Sequence, residues 1–561
     1  MAGFLQTPPA LADAWSSDRI LREAVSFHLG DEMFATARVE LAPVGAWATS
    51  PAAIELALRA EAEPPIHTPY APWGERIDDI RVSDAYVELG RIGVRGGVAA
   101  LPYEESDYGP LARVVWGALL TLWGPSSALY SCPIAMTDGA ARTLMLYGQD
   151  DSEAEIVRRL TTRDPDTAWT SGQWMTETAG GSDVSRTGTV ARREADGTWR
   201  LWGTKWFTSS TVSEMALALA RPEGAVEGSK GLGLFRVHRH LDDGSRNAIV
   251  VRRLKDKLGT RALPTAELEL EGALAYPVGD PLDGGGVRRV ATMLNITRVH
   301  NSIGGTGGLA RGLAYARAYA QVREVFGKPL HSMPAHRATL TDLAVDYQAS
   351  LALTLRCCEL LGKEEKGVAS AEEQAVLRGL TPVTKLATGR WSIAGVTEVM
   401  EAIGGVGYCE DSGVPVLVRN THVIPIWEGT SNVMALDFLR AASRAGALEA
   451  LAQDIRSTTA PLRDHRHVGE AARSAEAALK VLEERAGRFI DDPSVAEANA
   501  RSFALGLAAT YATARLAAQG AWASDAGDLR TAAAARRLAA RGLVPPEAPD
   551  DLELGMDEPL T

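Results

Sequence analysis

The stretch Pro425-Ile426-Trp427-Glu428-Gly429-Thr430-Ser431-Asn432 places one carboxylate between a tryptophan and a glycine, and three polar residues follow. An adjacent indole partly shields a carboxylate from water, which suits a general base for a weakly acidic C–H proton. Gly429 removes side-chain bulk where a flat ligand could approach the backbone. Taken alone, these eight residues fit an ordinary surface loop better than a catalytic site, so the rest of the chain must decide.

Six other stretches combine glycine with hydroxyl, aromatic or basic side chains. They are QWMTETAGGSD (173–183), GTKWFTSS (203–210), KLGTRALPT (257–265), GTGGLA (305–310), REVFGKPL (323–330) and GGVGY (404–408). Backbone N–H groups freed by glycine suit a pyrophosphate, and an aromatic beside hydroxyls suits a flat ligand with a polar edge. Taken singly, each is better explained as a turn, a buried aromatic, a solvated loop or a helix end.

The stretch GTGGLA formally matches the dinucleotide fingerprint G-x-G-x-x-A. That fingerprint requires a preceding strand inside a βαβ unit. The flanks, 293–303 and 311–320, have helical patterns instead. We therefore reject a nucleotide loop and predict glycines that allow close helix packing or approach to a ligand.

Composition limits the class of protein. The chain has 561 residues, 46% hydrophobic and 23% charged, which is typical of a soluble globular protein of three or four domains. A net charge of −13 gives no global attraction to nucleic acid or anionic membrane. No apolar run approaches a membrane span, the first residues do not form a secretory signal, and the four cysteines lack metal-binding spacing. We expect a cytoplasmic protein without a metal site or a membrane partner.

The first half of the chain changes once from helical to strand-like sequence patterns. Residues 1–168 have mostly helical patterns, including a helix at Ala112–Trp123 that is apolar all round and so predicted to be buried. The Pro-rich stretch Pro64–Trp73 is predicted to be a loop. From 169 to 280, short runs alternate with turn signals and predict a small sheet or barrel, with a hairpin around Ala195-Asp196-Gly197.

The second half returns to long helical patterns. Residues 281–444 predict an antiparallel bundle, and residues 445–541 predict an additional helical domain. The bundle segments are roughly Val290–Ala320, Pro334–Leu361, Ala371–Leu380, Pro382–Ile403 and Ser431–Arg444. Residues 542–561 carry acids and four prolines but no Lys or Arg, which favours a disordered or loosely attached acidic tail.

Together and in order, the motifs resemble the acyl-CoA dehydrogenase family. The series TE-x-x-GGSD, GTKWF, KLGTR, R-x-x-FG, GG-x-GY and WEGTSN is similar to that family from about residue 100 to 440. The likeness is greatest to its alkylation-response, AidB-type branch. That branch shares SCPIAMT (131–137), RRLKDKLG (252–259), YCE (408–410), Trp427 and an added domain after 445.

The resemblance implies an α+β, mainly α fold with an N-terminal helical domain, a middle β-barrel, a C-terminal four-helix bundle and an extra C-terminal helical domain. It also implies FAD as cofactor and a homotetramer, in which a neighbouring subunit completes each FAD site. The implied FAD contacts within one subunit are Met175, Thr176, Ser182, Phe207, Thr208, Ser209, Thr430 and Asn432. Those implied for a neighbour's FAD are Arg323, Phe326, Gly404 and Gly405.

The same resemblance places Glu428 at the position of the family's catalytic base. Family members that carry the base elsewhere have a glutamate just before the arginine of the first bundle helix. Here that position is Thr297, before Arg298, which leaves Glu428 as the candidate. Trp427 replaces the usual tyrosine, and Pro334 stands where a glutamine is usual, as in the AidB-type branch.

Three functions remain open at this point. The first is an FAD-dependent dehydrogenase that takes a small-molecule substrate, with acyl-CoA as the candidate class, and passes electrons to an electron-transfer flavoprotein. The second is an AidB-like flavoprotein that binds duplex DNA, and the third is a non-catalytic interaction module. Residues 441–541 have 14 basic and 12 acidic side chains, so their net charge of +2 supports DNA binding only weakly.

Overall fold

The computed structural model describes residues 6–148 and 151–548. Helices form the N-terminal region, strands form the middle, and long helices form the rest of the chain. This order confirms the predicted α+β, mainly α fold, with a β-barrel between an N-terminal helical domain and a C-terminal bundle.

The N-terminal region is helical apart from one hairpin. Its elements are α1 Ala14–Ser17, α2 Arg19–Ala48, α3 Pro51–Ala62, β1 Ile66–Tyr70, β2 Arg76–Arg81, α4 Asp84–Arg95, α5 Ala112–Trp123, α6 Ser131–Tyr147 and α7 Asp151–Leu160. Every residue of α5 is buried, so the prediction of a central buried helix is confirmed.

The prediction of a loop at Pro64–Trp73 was wrong, because Ile66–Tyr70 forms strand β1 and pairs antiparallel with β2. Side chains from both strands converge on the buried carboxylate of Asp78. His67 Nε2 lies 2.9 Å from Asp78 Oδ1, and Arg76 Nε donates to Asp78 Oδ2 at 2.8 Å. This shared ion cluster fixes the strands, and local composition does not reveal it.

The middle region forms a closed five-stranded barrel with two added strands. Its elements are β3 Ser171–Trp174, β4 Val190–Arg193, β5 Trp199–Ser209, β6 Met215–Pro222, β7 Gly233–His238, β8 Ile249–Leu254 and β9 Thr265–Pro277. The ring runs β4-β5-β9-β7-β6 and closes through a parallel pairing of β6 with β4. Outside the ring, strand β3 pairs parallel with β6, and β8 pairs antiparallel with β9. The predicted hairpin joins β4 to β5, and its Gly197 has a φ of 90°.

The bundle contains α8 Gly286–Val322, α9 Pro334–Glu365, α10 Ala371–Ile403 and α12 Ser431–Ala445, with the short helix α11 Val414–Thr421 and the strand pair β10 Glu324–Val325 and β11 Lys328–Pro329. The sequence predicted a break in α10 before Pro382, but the helix is continuous. Leu380 and Val383, on either side of the proline, are both fully buried. Their packing outweighs the backbone hydrogen bond that Pro382 cannot donate.

Glycines inside α8 bring three helices together. A Cβ on Gly305 would lie 3.0 Å from the carbonyl oxygen of Thr388 in α10, and one on Gly307 would lie 3.1 Å from the carbonyl oxygen of Thr121 in α5. Such distances are tighter than ordinary contacts, so larger side chains would push the helices apart. The helix and its packing glycines are as predicted.

Four further helices pack on the bundle and on α2. They are α13 Ala447–Thr459, α14 Gly469–Asp491, α15 Pro493–Asp525 and α16 Arg530–Ala540. The expected loose tail is in part wrong, because Leu543 is buried and Arg485 Nη1 donates to the carbonyl oxygen of Pro545 at 2.7 Å. Residues 549–561 of that prediction lie outside the described residues.

Two absences apply to the part of the chain that the structure describes. No helix there is both long and apolar enough to cross a membrane. No group of three His, Cys, Asp or Glu side chains there is arranged to hold a metal ion.

A buried ion network joins the N-terminal region to the bundle. Arg113 in α5 donates to Asp138 in α6 at 2.6 and 2.9 Å and to Glu365 in α9 at 2.7 and 2.8 Å. His300 in α8 lies 2.9 Å from the same Asp138 carboxylate. Burial raises the pKa of Asp138, but the Arg113 charge and the His300 contact outweigh burial and hold it well below its usual value.

We expect Arg113→Met to lower the free energy of unfolding by about 3–5 kcal/mol, because it leaves the buried Asp138 and the half-buried Glu365 without their shared cation. Chemical unfolding followed by circular dichroism measures the change. Arg91→Met is the matched control, since Arg91 is partly exposed and pairs with an exposed Asp166. Equal effects of the two substitutions would contradict the assigned importance of the network.

Candidate active site

Glu428 lies in a tight turn between α11 and α12. Backbone hydrogen bonds from Ile426 N and Trp427 N to the carbonyl oxygen of Val423 form the turn, at 2.9 and 3.0 Å. Glu428 itself has a φ of 58°, and the following Gly429 has a φ of 102°. A non-glycine residue with positive φ is strained, and such residues concentrate at functional sites.

The turn is fixed where the three main regions meet. Trp427 packs against a buried cluster that includes Tyr86 and Leu89 of α4 and Leu263 from the barrel. Glu428, the next residue along the chain, is half-buried.

Three polar side chains hold Glu428 and its backbone. Gln173 Nε2 at the end of β3 lies 3.4 and 3.5 Å from the two carboxylate oxygens. Arg298 Nε in α8 donates to the carbonyl oxygen of Glu428 at 3.4 Å. Lys385 Nζ in α10 donates to the carbonyl oxygen of Gly429. The carboxylate is thus oriented from the barrel while its backbone is held by the bundle.

A second junction lies next to this turn. Asn420 Oδ1 accepts from the Thr260 backbone N–H at 2.6 Å, and Asn420 Nδ2 donates to Glu61 Oε1 at 2.7 Å. A Cβ on Gly259 would lie 2.6 Å from the carbonyl oxygen of Arg419, so only glycine fits there. The KLGTR stretch therefore joins the barrel to α3 and α11. Burial lowers the pKa of Lys257, which begins this stretch, to about 8.

The TE-x-x-GGSD stretch is held against the barrel by a buried ion pair. Lys205 Nζ donates to Glu177 Oε1 at 2.7 Å, and the Glu177 carboxylate also accepts from Thr189 Oγ1 at 2.6 Å. Burial raises the pKa of Glu177, but the Lys205 charge and these hydrogen bonds outweigh it, so that pKa lies below its usual value. Trp206 N donates to the carbonyl oxygen of Thr176 at 2.9 Å, which joins the two sequence motifs directly.

The residues expected within one subunit's FAD site differ in exposure. The Phe207 ring is 53% exposed, and Ser182, Thr430 and Asn432 are also exposed. Thr176 and Ser209 are half-buried, and Ser209 Oγ lies 3.2 Å from Thr265 Oγ1. The Met175 side chain is buried in a core cluster, and the buried Thr208 hydroxyl donates to the carbonyl oxygen of Ala266 at 2.8 Å. For Met175 and Thr208, contact with a ligand would therefore fall to the backbone.

The four residues expected to contact a neighbour's FAD gather elsewhere. Arg323, Gly404 and Gly405 line a surface groove of about 460 Å³ between the ends of α8 and α10. Phe326 follows Arg323 and is 97% exposed, with a φ of 51°. Arg323 Nη1 donates to Gln6 Oε1 at 3.0 Å.

The structure does not bring these four residues together with Glu428 in one chain. Lys385, which contacts the Glu428 turn, lies within α10, and Gly404 directly follows the end of that helix. At 1.5 Å per residue, the two positions are about 28 Å apart along the helix axis. One group of residues therefore lies at the C-terminal end of α10, and the Glu428 turn lies near its middle.

Sequence reasoning missed three side chains of this site, namely Gln173, Lys385 and the contact made by Arg298. Gln173 begins the stretch 173–183, and nothing in that stretch shows which of its side chains meets Glu428. Lys385 offered one usable signal, because it is the only charged residue in the stretch from Leu380 to Leu386.

The structure thus places a carboxylate in a strained turn where a barrel meets two helical regions. Three family models match the chain: the AidB N-terminal domain of adaptive response proteins at residues 6–167, the acyl-CoA dehydrogenase middle domain at 172–273, and the acyl-CoA dehydrogenase C-terminal domain at 284–443.

Relatives agree with these matches. The chain is 42% identical over 446 residues to acyl-CoA dehydrogenase family member 11 of Caenorhabditis elegans, across 78% of this chain and 72% of that protein. It is 33% identical over 459 residues to the putative acyl-CoA dehydrogenase AidB of Escherichia coli, across 80% and 82%. The crystal structure of C. elegans ACDH-11 in complex with C11-CoA has a TM-score of 0.94 and 37% identity, covering 98% of this chain and 94% of that one. The chain belongs to the acyl-CoA dehydrogenase family.

Members of this family use FAD, and the residues present fit that cofactor. A Cβ on Gly404 or Gly405 would meet nothing within 4 Å, so the backbone there is open to a ligand in the groove, where Arg323 supplies a positive charge. The exposed ring of Phe207 offers a flat face, and the hydroxyl of Thr430 and the amide of Asn432 are polar groups that closely follow Glu428 in the chain.

We expect Lys205→Met to lower both stability and FAD retention, because it leaves the Glu177 carboxylate buried without its cation, at a cost of about 3 kcal/mol or more. The flavin-to-protein absorbance ratio after gel filtration and the unfolding midpoint measure the two effects. Lys230→Met, at an exposed lysine of the same barrel, is the control. Full flavin retention by the Lys205 variant would show that the ion pair does not hold the motif in place.

Proposed function

We propose that the protein is an FAD-dependent acyl-CoA dehydrogenase in which Glu428 removes the α-proton of the substrate. The observation that carries the proposal is the half-buried Glu428 carboxylate, held against Gln173 at the end of the strand that leads into the TE-x-x-GGSD motif. A carboxylate in that position is oriented, partly shielded from water and close to the expected cofactor.

The chemistry divides between the chain and its cofactor. The α-proton of a thioester is only weakly acidic, so its removal needs a fixed base in a partly desolvated site. The strained turn fixes Glu428, and partial burial limits the contact of its carboxylate with water. Bound FAD supplies the acceptor for the hydride that leaves the β-carbon. The C11-CoA bound to C. elegans ACDH-11 supports an acyl-CoA thioester as the substrate class. An electron-transfer flavoprotein is the proposed acceptor of the electrons.

We also propose that the active form is a homotetramer. Arg323, Gly404 and Gly405 lie at the far end of α10 from Glu428, yet the family expectation assigns all of them to FAD. The distance and the family expectation are compatible if each FAD contacts the residues around Glu428 in one subunit and Arg323, Gly404 and Gly405 of a neighbouring subunit.

The alternative function, binding of duplex DNA by the added helices, gains little support from their surface. Phosphate binding requires arginines that are free of carboxylates. Many arginines of the added helices pair with acids: Arg537 and Arg541 with Asp342, Arg456 with Glu483, and Arg463 with Glu476. We therefore do not extend the proposal to DNA.

We expect Glu428→Gln to slow reduction of the flavin by an acyl-CoA at least about 100-fold, because glutamine keeps the shape of the side chain but cannot accept the proton. FAD should remain bound, since other residues provide its contacts. Stopped-flow measurement of flavin bleaching, with a panel of acyl-CoAs of different chain length, gives the rate.

Glu398→Gln, on the exposed face of α10, is the matched control and should reduce at the parent rate. Reduction of the Glu428 variant at the parent rate would show that the base is another group. A parent that holds FAD but is bleached by none of the acyl-CoAs would refute the dehydrogenase itself.

The purified protein should be yellow and should contain four copies of the chain with one FAD each. Multi-angle light scattering combined with flavin absorbance tests both numbers. Because the groove at Gly405 is open, Gly405→Asp should place a negative charge there, repel a phosphate and reduce the FAD content. A monomer with full FAD content would contradict the shared site.

A further inference from the structure

Lys385 is a buried lysine that lies directly beneath the Glu428 turn. Its side chain is fully buried, at 0% exposure, in the middle of α10. Its ammonium donates to the carbonyl oxygen of Gly429. The neighbouring hydroxyls of Thr384 and Thr388 serve the helices instead, since Cys357 Sγ donates to Thr384 Oγ1 and Thr388 Oγ1 donates to the carbonyl oxygen of Thr384. The ammonium therefore points to the turn that carries the proposed base.

A second buried lysine shows how unusual this arrangement is. Lys205 in the barrel has a carboxylate partner, Glu177, at 2.7 Å. Among the described residues, the structure gives Lys385 a carbonyl oxygen but no carboxylate in a direct ion pair. A buried charge without a paired ion is costly, so an apolar side chain would serve packing better. This contrast favours a role for Lys385 other than packing.

The turn needs support that Lys385 can give. Glu428 has a φ of 58°, in a region that side chains other than glycine avoid. A Cβ on Gly429 would lie 2.6 Å from Met434 Cε, so the turn is also tightly packed. Arg298 Nε holds the carbonyl oxygen of Glu428, and Lys385 Nζ holds the next carbonyl oxygen along the chain. Two cations thus fix two successive peptide groups around the base.

The charges of Lys385 and Glu428 are coupled. Burial lowers the pKa of Lys385 to about 7, while the negative charge of Glu428 opposes this fall and the positive charge of Arg298 adds to it. Asp437 offsets part of the Arg298 charge through an ion pair at 3.0 Å. The ammonium of Lys385 thus places a positive charge close enough to Glu428 for the two charges to interact.

We propose that Lys385 is a positioning residue for Glu428, which fixes the turn through the Gly429 carbonyl and so holds the carboxylate where it can accept the proton. In the step itself, the α-carbon–hydrogen bond of the substrate breaks, an O–H bond forms on Glu428, and Lys385 keeps its own proton. The inference rests on the proposed function for its catalytic part only, because the holding of the turn can be measured without substrate.

The substrate-free test is hydrogen–deuterium exchange of the peptide that covers residues 422–434 in the FAD-loaded protein. We expect Lys385→Met to raise exchange there at least about 10-fold, since the turn loses the cation that holds it. Lys363→Met, at a partly buried bundle lysine paired with Glu359 and Glu373, is the control and should leave this peptide unchanged.

The pH dependence of the free energy of unfolding distinguishes a positioning role of Lys385 from a packing role. The folded-state pKa of Lys385 lies below its unfolded value, so the unfolded chain binds more protons between about pH 7 and 10.5, and stability rises with pH across that range. Lys385→Met should lose this rise and be as stable as the parent or more stable at pH 7, because a buried charge is removed. A lysine that served packing alone would instead give a less stable variant with an unchanged turn.

The third measurement is the limiting rate of flavin reduction as a function of pH. Lys385 is charged below about pH 7 and neutral above it, so the parent's limiting rate of flavin reduction should fall as pH rises through that value. Lys385→Arg, which stays charged, should lose this fall, and Lys385→Met should be at least about 10-fold slower at pH 6.

Unchanged exchange in residues 422–434 together with a parent-like rate in Lys385→Met would overturn the proposal. If the methionine variant does not fold, exchange of the same peptide in the parent, measured from pH 6 to 9 and corrected for intrinsic rates, still decides it. Exchange that does not increase above pH 7 counts against the proposal. A parent that no acyl-CoA reduces, but whose turn loosens in Lys385→Met, would refute the proposed dehydrogenase and leave the positioning role of Lys385 standing.

Discussion

The architecture of this protein depends on one strained turn at the meeting point of three regions. Glu428 adopts a positive φ, which its neighbours must enforce. The bundle holds its backbone through Arg298 and Lys385, the barrel approaches its carboxylate through Gln173, and α4 contributes to the packing of Trp427. The position of the carboxylate therefore depends on how all three regions pack against one another.

The long helix α10 explains how one chain can serve two sites. Lys385 supports the Glu428 turn in its middle, and Gly404 and Gly405 open a groove at its end. A rigid helix fixes the distance between the two places, so it also fixes how two copies must be arranged if they share a cofactor. Packing glycines in α8, such as Gly305, keep this helix close to its neighbour.

The sequence was sufficient for features that repeat along the chain or occur as an ordered series of motifs. A run that is apolar on all sides predicted the buried α5, and the turn at Gly197 predicted the hairpin. It failed where distant contacts decide the local structure. Asp78 turns a Pro-rich stretch into strand β1, and core packing carries α10 through Pro382. Lys385 could not be assigned either, because no local pattern shows which carbonyl a buried ammonium will meet.

The two buried lysines show why residue type alone is a poor guide to function. Lys205 and Lys385 are both inaccessible to solvent, and burial lowers the pKa of each. Lys205 lies against Glu177, so its charge is neutralised locally and the pair fastens a loop to the barrel. Lys385 contacts a backbone carbonyl, so its charge acts on Glu428 across the turn. Partner geometry, which only the folded chain defines, therefore separates a structural cation from one that can influence a reaction.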